Sequence, residues 1–196
     1  MTKSAIFLDR DGVINLDPSY INDPADMIIY PFAAEAIRNF NKLNLKVIVV
    51  TNQSGIARGM ITIGQLQDIH QKMIDDLAKE DAYIDKIYFS PYHKDGKIKP
   101  YNIQHEDRKP DIGLFKKACK EFQLDPPTSF MIGDRKSDMI FAHRAHLIPI
   151  LVLTGDGKND YIDNKFFRHS EYAPRYIAQD ILAASWLIEK LIKDRM

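Results

Sequence analysis

The chain has 196 residues, and its 27 Lys and Arg residues are balanced by 27 Asp and Glu residues. This length predicts a single domain over residues 1–196, and the neutral balance argues against a nucleic acid or an anionic membrane as the main partner. A single cysteine, Cys119, excludes a disulfide framework, and no apolar run is long enough to span a membrane, so we expect a cytoplasmic protein.

The first predicted element is a buried strand. The apolar run Ile6 to Leu8 leads directly into Asp9 and Asp11, and Gly12 follows. A continuous apolar run that ends at a breaker is typical of a buried parallel strand. Ligands of open α/β sheets bind beyond the carboxyl ends of the strands, where these two carboxylates fall. Crowded carboxylates repel one another, so the stretch indicates a bound divalent cation and a phosphate group.

The second predicted strand follows a helix and ends in Thr51, Asn52, Gln53 and Ser54. Two hydroxyls and two side-chain amides can surround an oxyanion with neutral hydrogen-bond donors. The same residue types are also common in ordinary strand-to-helix turns. Taken alone, this loop therefore leaves both interpretations open.

The helix after this loop begins with a recognisable signal, because Thr62 and Gln65 have the spacing of a capping box. His70 lies on the flank of the apolar face of this helix. We interpret it as a structural histidine. A third, shorter strand is predicted at residues 85–89.

A long irregular stretch, residues 90–107, precedes the basic pair Arg108 and Lys109. Loops of this length tend to be functional or mobile. His93 and His105 could suggest a metal site, but no short pair of Cys or His ligands is present, and a solvated loop is the simpler interpretation. The basic pair stands before a helix, against the usual preference of the helix dipole, which indicates an anion bound there.

The fourth predicted strand, residues 130–133, ends in Asp134 and Asp138. A fifth strand at residues 148–153 and a helix at residues 180–193 complete the chain. Alternating strands and helices predict a parallel sheet covered on both faces. Carboxylates, neutral donors and a cation at one rim of that sheet are the groups that phosphoryl transfer requires.

Four short motifs resemble, in order, the signature motifs of the haloacid dehalogenase (HAD) superfamily. They are Asp9-x-Asp11, Thr51, Lys109 and Gly133-Asp134-x-x-x-Asp138. The runs FLDRDGVIN, VVTNQSGIARG, RKPDIGLF and IGDRKSDM look like the D-glycero-D-manno-heptose-1,7-bisphosphate 7-phosphatase group and its relatives, the histidinol-phosphate phosphatase domains. The resemblance covers nearly the whole chain. It implies a Rossmann-like, three-layer α/β fold with a mainly parallel, five-stranded sheet and no large cap domain.

The resemblance also implies catalytic roles. Asp9 resembles the nucleophile that becomes an aspartyl phosphate, and Asp11 resembles the acid that protonates the leaving alkoxide and then activates water. Mg²⁺ would be held by Asp9, Asp134 and the main-chain carbonyl of Asp11. Lys109 would neutralise charge on the nucleophile and the phosphate.

Further residues are implied to bind the substrate. The loop after the second strand would hold the transferring phosphoryl group, while two arginines and the segment 17–20 would contact the rest of the molecule. For Asp138 two roles stay open, since it could orient Lys109 or bind metal. The implied substrate-binding residues besides Lys109 are Thr51, Asn52, Gln53, Ser54, Arg108, Arg135, Asp17 and Tyr20.

This sequence departs from the heptose bisphosphate phosphatase group at a zinc site. Enzymes of that group commonly carry a structural zinc before the Arg-Lys-Pro motif, held by three cysteines and a histidine. Alignment on that motif places Ser90, Tyr92, His105 and Asp107 at the four ligand positions. Serine and tyrosine are poor zinc ligands, so we expect no structural zinc here. The shape of this loop and the identity of the substrate are left open with it.

The sequence thus predicts a Mg²⁺-dependent phosphatase of a small phosphorylated substrate, with a heptose bisphosphate first. Histidinol phosphate and a nucleic-acid 3′-phosphate are the alternatives within the same chemistry. A non-catalytic binding module on this fold is opposed by competent residues at every catalytic position. The oligomeric state is not predicted.

Overall fold

The computed structural model describes residues 3–17, 20–162 and 170–194. In these residues six strands form one parallel sheet in the order β3-β2-β1-β4-β5-β6. The strands are β1 (Ala5–Leu8), β2 (Lys46–Asn52), β3 (Lys86–Ser90), β4 (Phe130–Gly133), β5 (Ile148–Val152) and β6 (Tyr176–Ala178).

Helices flank the sheet on both faces, as expected when apolar strands are buried on two sides. Successive residues of β1 contact different layers: Ile6 and Leu8 belong to one apolar cluster, and Phe7 belongs to the other. This alternation gives three layers. The helices are α1 (Ala33–Lys42), α2 (Gly55–Arg58), α3 (Ile63–Ala78), α4 (Gly113–Phe122), α5 (Lys136–Arg144), α6 (Gly157–Ile162) and α7 (Ile181–Lys193).

The predicted α/β architecture is confirmed, but the sheet has six strands and not five. The additional strand, β6, pairs in parallel with β5 along three residues. It is short, and only Ala178 of its three residues is buried. A three-residue strand with one buried side chain has no apolar run for sequence reasoning to detect.

The three central strands bring the predicted site residues to one edge of the sheet. β1 lies between β2 and β4, and Leu8 is in register with Val49 and Ile132. The carboxyl ends of these three strands therefore meet at one rim, as the sequence predicted. The loop from β1 to α1 and the loop from β3 to α4 contain, in their described parts, no helix beyond the three-residue turn Pro24–Asp26, so no cap domain is built on them. None of the described helices has the length and apolarity needed to cross a bilayer.

Gly12 is required by the close contact of two loops at this rim. Its φ of +79° lies in the left-handed region, and a Cβ there would come within 2.2 Å of Asp134 Oδ2. The hydroxyl of Thr154, after β5, donates to Gly12 O at 2.6 Å. The turn after β1 is thereby held against the loop after β5.

Candidate active site

Three buried carboxylates meet one buried ammonium at the rim. Asp9 follows β1, Asp134 follows β4 and Asp138 lies in the first turn of α5, and one oxygen of each lies within 4.8 Å of the others. Lys109 Nζ lies 3.0 Å from Asp9 Oδ1 and 2.7 Å from Asp138 Oδ1. The cluster brings together three of the predicted site residues and Asp138.

The cluster has an excess of negative charge. Burial raises the pKa of Asp9 to about 7, against the pull of Lys109 and with the repulsion of Asp138 and Asp11. Burial, and then the charges of Asp9 and Asp138, raise the pKa of Asp134 well above its usual value. Asp134 Oδ1 is buried and has no hydrogen-bond partner in the described part of the chain. One ammonium does not balance three acids, so a divalent cation fits this position.

Asp11 is held in a different way. Its carboxylate accepts hydrogen bonds from the Arg10 guanidinium at 2.8–3.0 Å, from Asn15 Nδ2 at 3.0 Å and from Gln53 Nε2 at 2.8 Å. Burial alone would raise the pKa of Asp11, but the charge of Arg10 and these hydrogen bonds outweigh it and hold the pKa below its usual value. The carboxylate is fixed in orientation at the edge of the cavity.

The loop after β2 contains two kinds of side chain. Some have a hydrogen-bond donor available to the cavity, and others are hydrogen-bonded to neighbouring protein groups. The Asn52 amide exchanges two hydrogen bonds of 3.0 Å with the backbone of Lys109. Gln53 Nε2 donates to Asp11 and also to Thr51 Oγ1, at 2.9 Å. Both amides are thus engaged with protein groups. The hydroxyls of Thr51 and Ser54 are the side-chain groups of this loop best placed for a phosphate oxygen.

Most of these groups border a cavity of about 440 Å³. Every predicted catalytic and substrate-binding residue lines it, while Asp134 belongs to the acid cluster. Residues 18–19 of the predicted segment 17–20 lie outside the described residues. The predicted residues that line the cavity are Asp9, Asp11, Asp17, Tyr20, Thr51, Asn52, Gln53, Ser54, Arg108, Lys109 and Arg135.

The two arginines predicted to bind the substrate differ in their partners. Arg135 pairs with Asp17 at 2.7 Å and with Asp156 at 2.8 Å. Arg108 is half-buried and donates to the carbonyl of Tyr92 at 3.1 Å, and no carboxylate pairs with it among residues 3–17, 20–162 and 170–194. Burial, and then the nearby charge of Arg58, lower the pKa of Arg108. Arg108 is therefore the better placed of the two to bind a further anion.

Three of the four positions aligned with a zinc site are engaged in other contacts, and the fourth, Ser90, is buried with no partner for its hydroxyl in the described part of the chain. The rings of Tyr92 and His105 stack with centroids 3.8 Å apart, and Asp107 pairs with Lys117 at 2.5 Å. Ser90 is fully buried at the end of β3. In the part of the chain that the structure describes, no group of three metal-ligating side chains forms here. These residues do not fit a zinc ion.

Sequence reasoning missed Arg10, which lies between the two predicted catalytic aspartates. It is 2% exposed, and its guanidinium contacts Asp11 and, through Nη1, His70 Nε2 at 3.1 Å. The signal was available, since a buried arginine at the end of an apolar strand must find partners for its five N–H groups. His70, predicted to be structural, is one of those partners.

A parallel sheet that gathers paired aspartates, a buried lysine and neutral donors at one rim defines an aspartate-based phosphohydrolase. A model described as HAD-hydrolase-like matches residues 107–184. A D-glycero-β-D-manno-heptose-1,7-bisphosphate 7-phosphatase of Rhodopseudomonas palustris is 38% identical over 143 residues, covering 73% of this chain and 79% of the relative. The enzyme of the same name from Escherichia coli K12 is 37% identical over 158 residues, 79% of this chain and 83% of the relative.

A solved structure is similar to this chain over nearly its whole length. The D,D-heptose 1,7-bisphosphate phosphatase of B. bronchiseptica, complexed with magnesium and phosphate, has a TM-score of 0.83 at 29% identity and covers 97% of this chain and 99% of its own. The chain belongs to the HAD-like phosphatases, in the family of the heptose bisphosphate phosphatases. It is a phosphoric monoester hydrolase.

Proposed function

We propose that the protein removes the 7-phosphate of a D-glycero-D-manno-heptose 1,7-bisphosphate. The observation that carries this proposal is the pairing of two sites in one cavity: a nucleophile cluster at Asp9 and, apart from it, a basic residue, Arg108, that no described carboxylate neutralises. A bisphosphate needs one site for the phosphate that reacts and another for the phosphate that stays. The named activity of the relatives supports the same substrate.

The reaction begins at Asp9. Its carboxylate attacks phosphorus and forms an aspartyl phosphate while the bond from phosphorus to the sugar oxygen breaks. The negative charge of the bound phosphate raises the low pKa of Asp11, so Asp11 takes up a proton when the substrate binds and gives it to the leaving oxygen. Lys109 offsets charge on Asp9 and on the phosphoryl group. Asp11 then takes a proton from water, which attacks the aspartyl phosphate. Inorganic phosphate leaves, and Asp9 is restored.

Mg²⁺ fits the acid cluster because of the unpartnered oxygen of Asp134 and the excess negative charge around it. Asp9, Asp134 and the main-chain carbonyl of Asp11 would hold the ion. When bound, it supplies positive charge that lets an anionic nucleophile approach an anionic phosphate. We assign Asp138 to Lys109, since its carboxylate lies 2.7 Å from the ammonium.

Substrate contacts are proposed on both sides of the reacting group. The hydroxyls of Thr51 and Ser54 would donate to the transferring phosphoryl oxygens, and Arg108 would hold the second phosphate through paired hydrogen bonds. The remaining predicted contacts act at the sugar or through their neighbours. In this assignment Asp17, Tyr20 and Arg135 face the sugar, while Asn52 and Gln53 hold Lys109 and Asp11 in place.

We propose further that the loop at residues 90–107 keeps its shape without zinc, through the stack of Tyr92 on His105 and the pairing of Asp107 with Lys117. The oligomeric state is not part of the proposal. A cytoplasmic location stays a prediction, and a role in carbohydrate metabolism is proposed together with the sugar substrate.

The test is phosphate release from a matched set of esters with and without Mg²⁺. The set is the heptose 1,7-bisphosphate, the heptose 7-phosphate, histidinol phosphate and an oligonucleotide with a 3′-phosphate. We expect Mg²⁺-dependent turnover with the highest kcat/KM on the bisphosphate, and loss of activity with EDTA. A higher kcat/KM on histidinol phosphate or on the oligonucleotide would overturn the assignment of the substrate.

A further inference from the structure

The contact between Arg10 and His70 connects a core helix to the catalytic rim. His70 lies on α3, whose apolar residues Leu66, Ile69 and Met73 are fully buried against the sheet. His70 is 7% exposed and Arg10 is 2% exposed, so their hydrogen bond of 3.1 Å is shielded from water. Because α3 is anchored by its buried face, it can fix the group that it contacts.

We propose that His70 is a positioning residue for the acid–base step: its Nε2 accepts a hydrogen bond from Arg10, which in turn orients the carboxylate of Asp11. The chain of contacts runs from His70 to Arg10 Nη1, and from Arg10 Nε and Nη2 to both oxygens of Asp11. The inference rests on the proposed aspartyl-phosphate mechanism, although not on the sugar substrate.

The distribution of donors shows why the histidine is needed. Arg10 uses Nε and Nη2 on Asp11, which leaves Nη1 to be satisfied in a buried site. A guanidinium has no acceptor atom, so the partner of Nη1 must itself be an acceptor. Burial, and then the charge of Arg10, lower the pKa of His70 to about 3, so the ring is neutral and its Nε2 is free to accept.

The packing of the ring supports the same role. The His70 ring meets the Phe89 ring edge-on, with centroids 6.0 Å apart. This contact holds the imidazole plane between β3 and the guanidinium. His70 touches no other part of the described hydrogen-bond network of the site. Its effect on catalysis would therefore pass through Arg10.

The two halves of the reaction depend on Asp11 differently, and this gives the test. A sugar alkoxide is a poor leaving group and needs a proton from Asp11, whereas p-nitrophenolate leaves without one. Hydrolysis of the aspartyl phosphate needs Asp11 as a base whichever ester formed it. A misplaced Asp11 should thus let p-nitrophenyl phosphate load Asp9 rapidly and then slow the release of phosphate.

The experiment compares His70→Phe, which keeps the ring against Phe89 but removes the acceptor, with His70→Gln, whose side-chain oxygen can still accept. A matched control is His143→Phe, since His143 also lies in a helix and contacts the backbone of Ala173, away from the cavity. The readouts are kcat and KM on the heptose bisphosphate, and rapid-mixing measurements of p-nitrophenolate release.

For His70→Phe we expect kcat on the sugar ester to fall roughly tenfold to a hundredfold with little change in KM, as displacement of a catalytic group by about 1 Å can cause. We also expect a burst of about one p-nitrophenolate per active site, followed by slow turnover. His70→Gln should restore the rate and remove the burst, and His143→Phe should behave as wild type.

Unchanged kcat for His70→Phe would overturn the inference. So would a loss of rate that shows no burst and that His70→Gln does not reverse. If His70→Phe fails to fold, His70→Asn replaces it, because its shorter polar side chain cannot reach Arg10 and should give the same burst. If the heptose bisphosphate is not hydrolysed but p-nitrophenyl phosphate is, the proposed substrate fails, and the burst measurement still decides the role of His70.

Discussion

Replacing Arg108 by Ala should separate the binding of the second phosphate from the chemistry at the first. Arg108 is half-buried at the cavity, and the hydrogen bond of its side chain that the structure shows runs to the carbonyl of Tyr92. A hydrogen bond to a charged group contributes about 1.5–3 kcal/mol. Its loss corresponds to a roughly tenfold to 150-fold lower kcat/KM on the bisphosphate. A monophosphate such as p-nitrophenyl phosphate should lose much less, since it offers Arg108 nothing to hold.

Arg135→Ala is the matched comparison. Arg135 lines the same cavity but already pairs with Asp17 and Asp156, and these acids compete with any phosphate for its N–H groups. We therefore expect a smaller loss of discrimination between the two substrates than for Arg108→Ala. Arg108→Lys should fall between wild type and Ala, because lysine keeps the charge but not the planar fork.

The assay is kcat/KM for both substrates with wild type and the three variants. Equal losses on bisphosphate and monophosphate for Arg108→Ala would show that Arg108 serves the transferring phosphate. The reasoning would also be refuted if Arg135→Ala lost more of the preference for the bisphosphate than Arg108→Ala.

Three further predictions concern the acid cluster and the loop at residues 90–107. Asp9→Asn should lower turnover by at least about a thousandfold in steady-state assays with the fold intact by circular dichroism, and near-normal turnover would exclude the nucleophile assignment. Gly12→Ala should abolish stabilisation of the protein by Mg²⁺ in thermal melts, because the added methyl group would collide with Asp134 Oδ2; a melting shift equal to that of wild type would contradict this. Elemental analysis of protein purified without added zinc should find no stoichiometric zinc, and one tightly bound zinc per chain would refute the zinc-free loop.

Much of the fold was predictable because the information lies in local runs. The five longer strands are apolar stretches that end in polar residues, and the capping box of α3 is present with both of its hydrogen bonds, at Thr62 and Gln65. β6 was missed because its three residues are held by pairing with β5 rather than by an apolar pattern of their own.

The convergence of the predicted site residues was predictable for a related reason, since strands in register place their carboxyl ends together. The hydrogen-bond and ion-pair partners of these side chains were not predictable. Arg135 meets Asp17 across 118 positions of sequence, and the Asn52 amide pairs with the backbone of Lys109 across 57. Such pairings depend on how loops close over the rim, and no local spacing encodes them. The family resemblance therefore assigned Asn52 and Gln53 to the substrate, although the structure engages both amides with protein groups.

The composition of the loop at residues 90–107 also sets which cellular stresses can reach this enzyme. A loop organised by zinc thiolates is exposed to peroxide and to zinc limitation, because oxidised thiols release the metal. The corresponding loop here contains no cysteine and is held by a Tyr92–His105 stack and a Lys117–Asp107 pair. The one thiol of the chain, Cys119, is half-buried in α4, and burial raises its pKa, which leaves little reactive thiolate. A loop held in this way would not lose its shape through thiol oxidation or zinc limitation.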